Sequence, residues 1–331
     1  MYYDPARTLS HNCMLNFVLS NRGGGKTFSM LNYITKKYQA DGSQFIWIRR
    51  TQTELDLIKK NMFKALEHEG FTEPGQFSVA KDIITTGADN ELTAGGIYAL
   101  SKAFQFKSIA WPEVKYIVFD EFIDERRRYL KNEVNLLLSV IESVARMRNV
   151  KVILLANSIT KYNPYFDFFN LDHDPDKEFQ KDKKRSILIH NWRSQEYTKA
   201  KKETVFAKML EGTEYGAFMF ENENILDNDD FIKKVKVKTK EPIMSFIFEN
   251  QGFCCWYVET KTENMLYITL NENKNSARKV NFDEEMKENY HWLSRRSTFV
   301  KNLRKTAERG AIYFESGRVK LAISALLNAV R

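Results

Sequence analysis

The stretch NFVLSNRGGGKTFSM, Asn16 to Met30, decides how the rest of the chain is read. An apolar run, Phe17-Val18-Leu19, stops at three consecutive glycines, and Lys26 and Thr27 open a segment of helical character. Glycines let backbone N–H groups converge on an anion, and a helix N-terminus adds its partial positive charge. Arg22, Gly23, Gly24 and Gly25 are therefore expected to cradle the phosphates of ATP. Lys26 would reach the β- and γ-phosphates, and the Thr27 hydroxyl would ligate Mg²⁺. Ser20 stands where the usual pattern has its first glycine, which suffices if the backbone needs no positive φ there. The alternative is a glycine-rich surface turn that happens to precede a helix.

The chain has 331 residues, enough for two domains. Its formal charge of +8 and pI near 9.1 favour a polyanionic partner. The basic residues are clumped at Arg126 to Arg128, Lys183 to Arg185, Lys199 to Lys202 and Lys233 to Lys240. No apolar run approaches the ~20 residues of a membrane-spanning helix, and the N-terminus lacks a secretory signal, so a cytosolic protein without a membrane partner is expected. Cys13, Cys254 and Cys255 form neither a disulfide framework nor a zinc pattern. Cys254 and Cys255 read as small buried hydrophobes.

The first half alternates strands and helices. Strands are expected at Phe17 to Ser20, Phe45 to Arg50, Val114 to Phe119 and Lys151 to Ala156. Helices are expected at Lys26 to Ala40, Thr53 to Glu69 and Val134 to Met147, the last with Leu137, Leu138, Ile141 and Val144 along one stripe. Phe77 to Leu100 reads as a small hairpin insertion. This alternation predicts an α/β fold with a mostly parallel sheet. After Ile187 to His190 and a lysine-rich helical stretch, a connector leads to three strands, 243–248, 253–258 and 265–270, with Gly252 at the first turn. Helices follow around Asp283 to Leu293, Thr298 to Glu308 and Val319 to Val330, making a separate α+β domain. The boundaries drawn are 1–198, a linker at 199–230, and 231–331.

A triphosphate loop needs a carboxylate at the end of a neighbouring strand. Tyr116-Ile-Val-Phe-Asp120-Glu121 supplies two: Asp120 to hold Mg²⁺, and Glu121 to polarise the attacking water. Asn157, closing another buried strand, either contacts the γ-phosphate or lytic water or merely caps a turn. Arg146 and Arg148 end a helix; they either complement its C-terminal dipole or act as an arginine finger in a neighbouring subunit. Lys107 has no role legible from its surroundings. In Lys233 to Lys240, an extended backbone would put Lys234, Lys236, Lys238 and Lys240 on one face, ~7 Å apart. That spacing suits the phosphates of a DNA strand, and it equally suits an edge strand guarded by charge.

These residues together resemble the genome-packaging (encapsidation) ATPases of small protein-primed podophages, of the Salasvirus or Picovirinae type, nearly end to end. The resemblance rests on Arg22 to Thr27, Phe45 to Arg50 and Ile117-Val-Phe-Asp-Glu-Phe122. It rests further on Asn163-Pro-Tyr-Phe-Asp-Phe-Phe-Asn-Leu171 and Gly212-Thr-Glu-Tyr-Gly216. It implies a P-loop ATPase of the additional-strand, catalytic-glutamate class, related to terminase large subunits. A small RNase H-like C-terminal domain that has lost cutting activity would follow. It implies a ring, of five subunits, at the portal (connector) vertex of a procapsid in the host cytoplasm, driving double-stranded DNA inward. A structural packaging RNA is a further partner in some relatives. Arg146 then matches a position acting in trans, and Lys107 a basic residue assisting it. The rival readings are a terminase-like protein with a working nuclease, a helicase or other translocase, and an anchoring protein whose ATP site only locks an assembly. A two-metal nuclease needs clustered carboxylates, yet 243–248 and 253–258 carry none.

Overall fold

Phe17, Val18 and Leu19 are buried on both faces because β1 (Leu15–Ser20) runs between two parallel neighbours, β7 (Lys151–Asn157) and β9 (Ile187–Asn191). A computed structural model of the chain describes residues 2–328, apart from 88, 90, 109, 125–127, 158–162, 211, 214–230, 240, 260–263, 274–275 and 285–287. The side chains of residues 106–108 and 328 are also outside the description. The chain divides into two compact units, Met1–Leu226 and Asp227–Arg331.

In the first unit β7 lies between β1 and β6 (Val114–Asp120), and β6 in turn pairs with β2 (Gln44–Arg49), all parallel. Period-two alternation sorts these apolar strands into two cores. Phe17, Leu19, Ile117 and Phe119 face one side of the sheet, and Val18, Phe45, Trp47 and Val118 face the other. The segment expected as a hairpin insertion instead widens this sheet. β3 (Phe77–Ala80) and β4 (Ile83–Thr86) form a hairpin, but β5 (Leu92–Ala99) pairs antiparallel with β4 and parallel with β2. Gly95 is needed for close approach: a Cβ there would sit 1.9 Å from the Phe45 carbonyl oxygen. β8 (Phe179–Asp182) closes the opposite edge, antiparallel to β9.

Of the helices, α1 (Pro5–Leu9) precedes β1, and α2 (Lys26–Asp41) follows it and stops at Gly42 with φ 71°. The single helix expected over Thr53 to Glu69 is two, α3 (Gln52–Lys59), opened by a Thr51–Glu54 capping box, and α4 (Lys64–His68). α5 (Glu133–Ala145) buries Val134, Leu137, Val140, Ile141 and Val144, and ends two residues earlier than its apolar pattern suggests. α6 (Pro164–Phe168), α7 (Gln195–Lys202) and α8 (Val205–Met209) complete the unit. Thus helix occupies part of the range read as linker; residues 211 and 214–230, with most of the 212–216 motif, lie outside the described residues.

In the second unit β10 (Met244–Phe248), β11 (Gln251–Glu259) and β12 (Asn264–Leu270) form an antiparallel meander. The first turn is made by Glu249 and Asn250, both at positive φ, not by Gly252, which sits inside β11 close to Glu272. Asn tolerates the left-handed region well enough to serve without glycine. Where a helix was expected around Asp283 to Leu293, the described residues form β13 (Lys279–Asn281), parallel to β10, and β14 (His291–Trp292), parallel to β13. β15 (Ile312–Phe314) flanks β12. α9 (Thr298–Glu308) and α10 (Gly317–Asn328) bury Val300, Leu303, Val319, Ile323 and Leu326 in this unit's core.

Candidate functional site

The turn after β1 is built as an anion cradle. Gly23 and Gly25 hold φ of 86° and 77°, and Gly25 caps α2. Ser20 keeps a negative φ, as its place in the pattern requires, and its side chain does more than fill space. Its hydroxyl accepts from Lys26 Nζ at 2.6 Å and donates to the Asn21 carbonyl at 2.9 Å. The buried Lys26 ammonium also donates to the Asn21 carbonyl (3.3 Å) and to Asn157 Oδ1 (3.1 Å). All three acceptors are neutral. Burial therefore pulls the Lys26 pKa down to about 8, although Asp120 and Glu121 oppose the shift. Asn157 thus reaches the site that its position at the end of β7 suggested.

Asp120 ends β6 within reach of the loop: Thr27 Oγ1 donates to its two carboxylate oxygens at 3.1 and 3.3 Å. Burial pushes the Asp120 carboxyl up, against the pull of the Arg49 guanidinium. Glu121 turns out of the strand at φ 59°, its side chain 61% exposed. No group of three or more His, Cys, Asp or Glu side chains suited to a metal occurs among the described residues. A hydroxyl and one carboxylate meeting at 3.1 Å nevertheless fit Mg²⁺ that takes its other ligands from phosphate and water.

Sequence reading missed Arg49 and Arg50. Arg49 closes β2 beside β6 and bridges both acids, with Nη1 3.0 Å from Asp120 and Nη2 2.5 Å from Glu121. Arg50 points into the core. It donates to Glu133 at 2.8 and 3.1 Å, to the Phe122 carbonyl at 2.6 Å and to the Glu121 carbonyl at 3.2 Å. Tyr165 donates to the same Glu133 at 2.7 Å, and Asn163 caps the helix that carries Tyr165. The two family-like stretches around residues 45–50 and 163–171 are therefore one buried network. Their only hint was two arginines ending an otherwise apolar strand.

An aromatic collar packs on the glycines. A Cβ on Gly23 would lie 2.5 Å from the Tyr197 hydroxyl, one on Gly24 2.5 Å from the Trp192 ring, and one on Gly25 2.9 Å from Tyr2. Lys201 Nζ donates to the Arg22 carbonyl at 3.0 Å, while the Arg22 side chain is exposed.

The two arginines after α5 part company. Arg146 is exposed, at φ 50° and ψ −110°, and its side chain has no hydrogen-bond or ion-pair partner among the described residues. Arg148 turns inward onto backbone carbonyls, among them Trp111 (2.5 Å) and Val114 (3.2 Å). Lys107 falls in a 3₁₀ segment, Leu100–Ser108, and its side chain lies outside the described residues. In the second unit Lys234, Lys236 and Lys238 are exposed while Val235 and Val237 pack against Val258, Met265 and Tyr267. Lys233 lies 3.8 Å from the centre of the Tyr313 ring. The alternation holds without a ladder partner along 233–239, and Lys240 lies outside the described residues.

A family model of podovirus DNA encapsidation protein (Gp16) matches residues 1–327. The DNA packaging protein of Bacillus phage phi29 is 32% identical over 321 residues, 91% of each chain. That of Bacillus phage B103 is 35% identical over 273 residues, 80% of each. A chain of the bacteriophage phi29 viral genome packaging motor assembly superposes with a TM-score of 0.74 at 28% identity, covering 100% of this chain and 99% of that one. The N-terminal domain of the DNA packaging ATPase from bacteriophage phi29 matches with a TM-score of 0.54 at 35% identity, covering 59% of this chain and 98% of that one.

Proposed function

Because the chain belongs to the podovirus DNA encapsidation protein family, we propose that it is the ATP-hydrolysing subunit of the motor that drives double-stranded DNA into a phage procapsid. The carrying observation is the meeting of Thr27, Asp120 and Lys26: a hydroxyl and a carboxylate 3.1 Å apart beside a buried cation that holds only neutral partners. A triphosphate satisfies all three. Mg²⁺, held by Thr27 and Asp120, would offset charge on the β- and γ-phosphates. Lys26 exchanges the Ser20, Asn21 and Asn157 oxygens for phosphate oxygens, which frees the Asn157 amide to meet the γ-phosphate or lytic water. Glu121 takes the proton of that water once Arg49 releases its carboxylate. Arg146, exposed and unpaired among the described residues, acts in trans on the next subunit of a ring, assisted by Lys107.

The position of β7 between β1 and β6 supports the additional-strand class of P-loop ATPases. The order β12-β11-β10-β13-β14, with β13 and β14 parallel to β10, supports an RNase H-like second unit. In β10 the residues are Met244-Ser-Phe-Ile-Phe248, which offer a metal no carboxylate. Within our reading 1–198 hydrolyses ATP, and Lys234, Lys236, Lys238 and Lys240 in 231–331 meet phosphates of DNA or of a packaging RNA. The ring is a pentamer, seated transiently on the portal in the host cytoplasm. Among the described residues no helix is long and apolar enough to cross a membrane.

Glu121→Gln is the decisive test. ATP turnover should fall about 10²- to 10⁴-fold while a non-hydrolysable analogue still binds. Unaltered DNA packaging by that variant overturns the motor reading.

A further inference from the structure

α5 ends abruptly. Its last residue is Ala145, and Arg146 closes the helix through its N–H to the Glu142 carbonyl (2.9 Å) in a backbone conformation, φ 50° and ψ −110°, that a side-chain-bearing residue does not adopt unaided. Met147 follows and is fully exposed. Something has to hold this knuckle, and Arg148 has the contacts to do so. Its N–H donates to the Ala145 carbonyl at 2.8 Å, and its guanidinium donates to Val144 in the last helical turn. The same guanidinium reaches the Trp111, Pro112 and Val114 carbonyls at the start of β6. Five donors in a rigid planar fork suit a set of converging carbonyls, and a lysine cannot reproduce that geometry. The other end of β6 carries Asp120 and Glu121.

We propose that Arg148 is a positioning residue that locks the Arg146–Met147 knuckle to the root of β6, so that the arginine offered to a neighbouring subunit stands in fixed register with its own subunit's acidic pair. This rests on the trans role of Arg146 given above. Strain alone would relax once the brace is gone, and a finger displaced by about 1 Å loses on the order of 10²-fold in rate.

The test is a double-mutant cycle on the full chain assembled on procapsids, reading kcat and KM for ATP together with the melting temperature of the free chain. Arg146→Ala is expected to lower kcat about 10³-fold. Arg148→Lys, which keeps the charge and loses the fork, should lower kcat about 10- to 100-fold with KM unchanged, because the subunit's own phosphate loop is untouched. In the Arg146→Ala background, Arg148→Lys should cost nothing further. If the two losses multiply, or if KM rises and melting drops in step with kcat, Arg148 serves only the fold and the proposal fails. If Arg148→Lys alone leaves kcat unchanged while Arg146→Ala slows it, the proposal also fails, with the trans reading intact. Full kcat in Arg146→Ala would instead remove the trans reading, and the brace with it.

Discussion

Two arginine pairs, one at the end of β2 and one after α5, are organised alike. In each pair one guanidinium is taken up by oxygens of the protein frame, and the other faces the candidate site or solvent. Arg50 is held by Glu133 and two backbone carbonyls, whereas its neighbour Arg49 faces the two acids of the candidate ATP site. Arg148 is held by backbone carbonyls, and Arg146 stands in solvent. What separates the two arginines of each pair is therefore which oxygens meet their donors, not their place in the sequence. The pairs differ in one respect. Arg50 offsets a buried carboxylate, so its loss leaves a charge behind, and Arg148 offsets only dipoles.

That difference sets the size of the expected effects. Arg50→Ala strands Glu133 in the core and should cost about 3–5 kcal/mol of unfolding free energy, read from chemical denaturation. If the loss is under about 1 kcal/mol, the contrast between the pairs breaks down. Arg49→Ala leaves Asp120 buried without its guanidinium and should cost about 1–3 kcal/mol while also removing a competitor for Glu121. The same measurement on Arg146→Ala should give a change within about 0.5 kcal/mol, since that side chain is exposed.

The remaining contrast is between two buried basic groups, Lys26 and His190. The Lys26 pKa of about 8 lies below the 10.5 of an unfolded chain. Between those values the unfolded state binds more protons, so this group's contribution makes stability rise with pH across that window. Phosphate restores the ammonium, so binding of an ATP analogue above pH 8 should take up as much as one proton. Calorimetry in buffers of different ionisation enthalpy reads this directly. His190 acts in the same direction on the acid side. It is buried, accepts or donates one hydrogen bond with Thr8, and has its pKa pulled to about 3 by desolvation. The unfolded chain protonates first, so stability should fall as pH drops below 6.5.

How much of this was legible beforehand depended on sequence separation. Lys26, Thr27 and the glycines are one local motif, and Asp120 and Glu121 another, so both could be read from short windows. That β7 comes between β1 and β6 could not be read, because Ile117 to Phe119 and Val152 to Leu155 are equally apolar runs and periodicity does not order buried strands. The Arg49–Asp120 contact spans 71 residues, and the Arg148–Trp111 contact 37. Gly252 reads as a turn because glycine usually marks one, yet it sits inside a strand close to Glu272. Lys234, Lys236 and Lys238 were legible as an alternating face, since that pattern is purely local.

The Tyr197 phenol and the Trp192 indole occupy the room that a methyl on Gly23 or Gly24 would need. No slack separates the phosphate loop from the start of α7, and Lys201 adds a tether one turn further on. A shift of the Gly23 backbone toward Tyr197 would therefore press on α7. The smallest side chain in the protein thus serves as a bearing surface, where loop and aromatic rings meet with no room for a methyl between them.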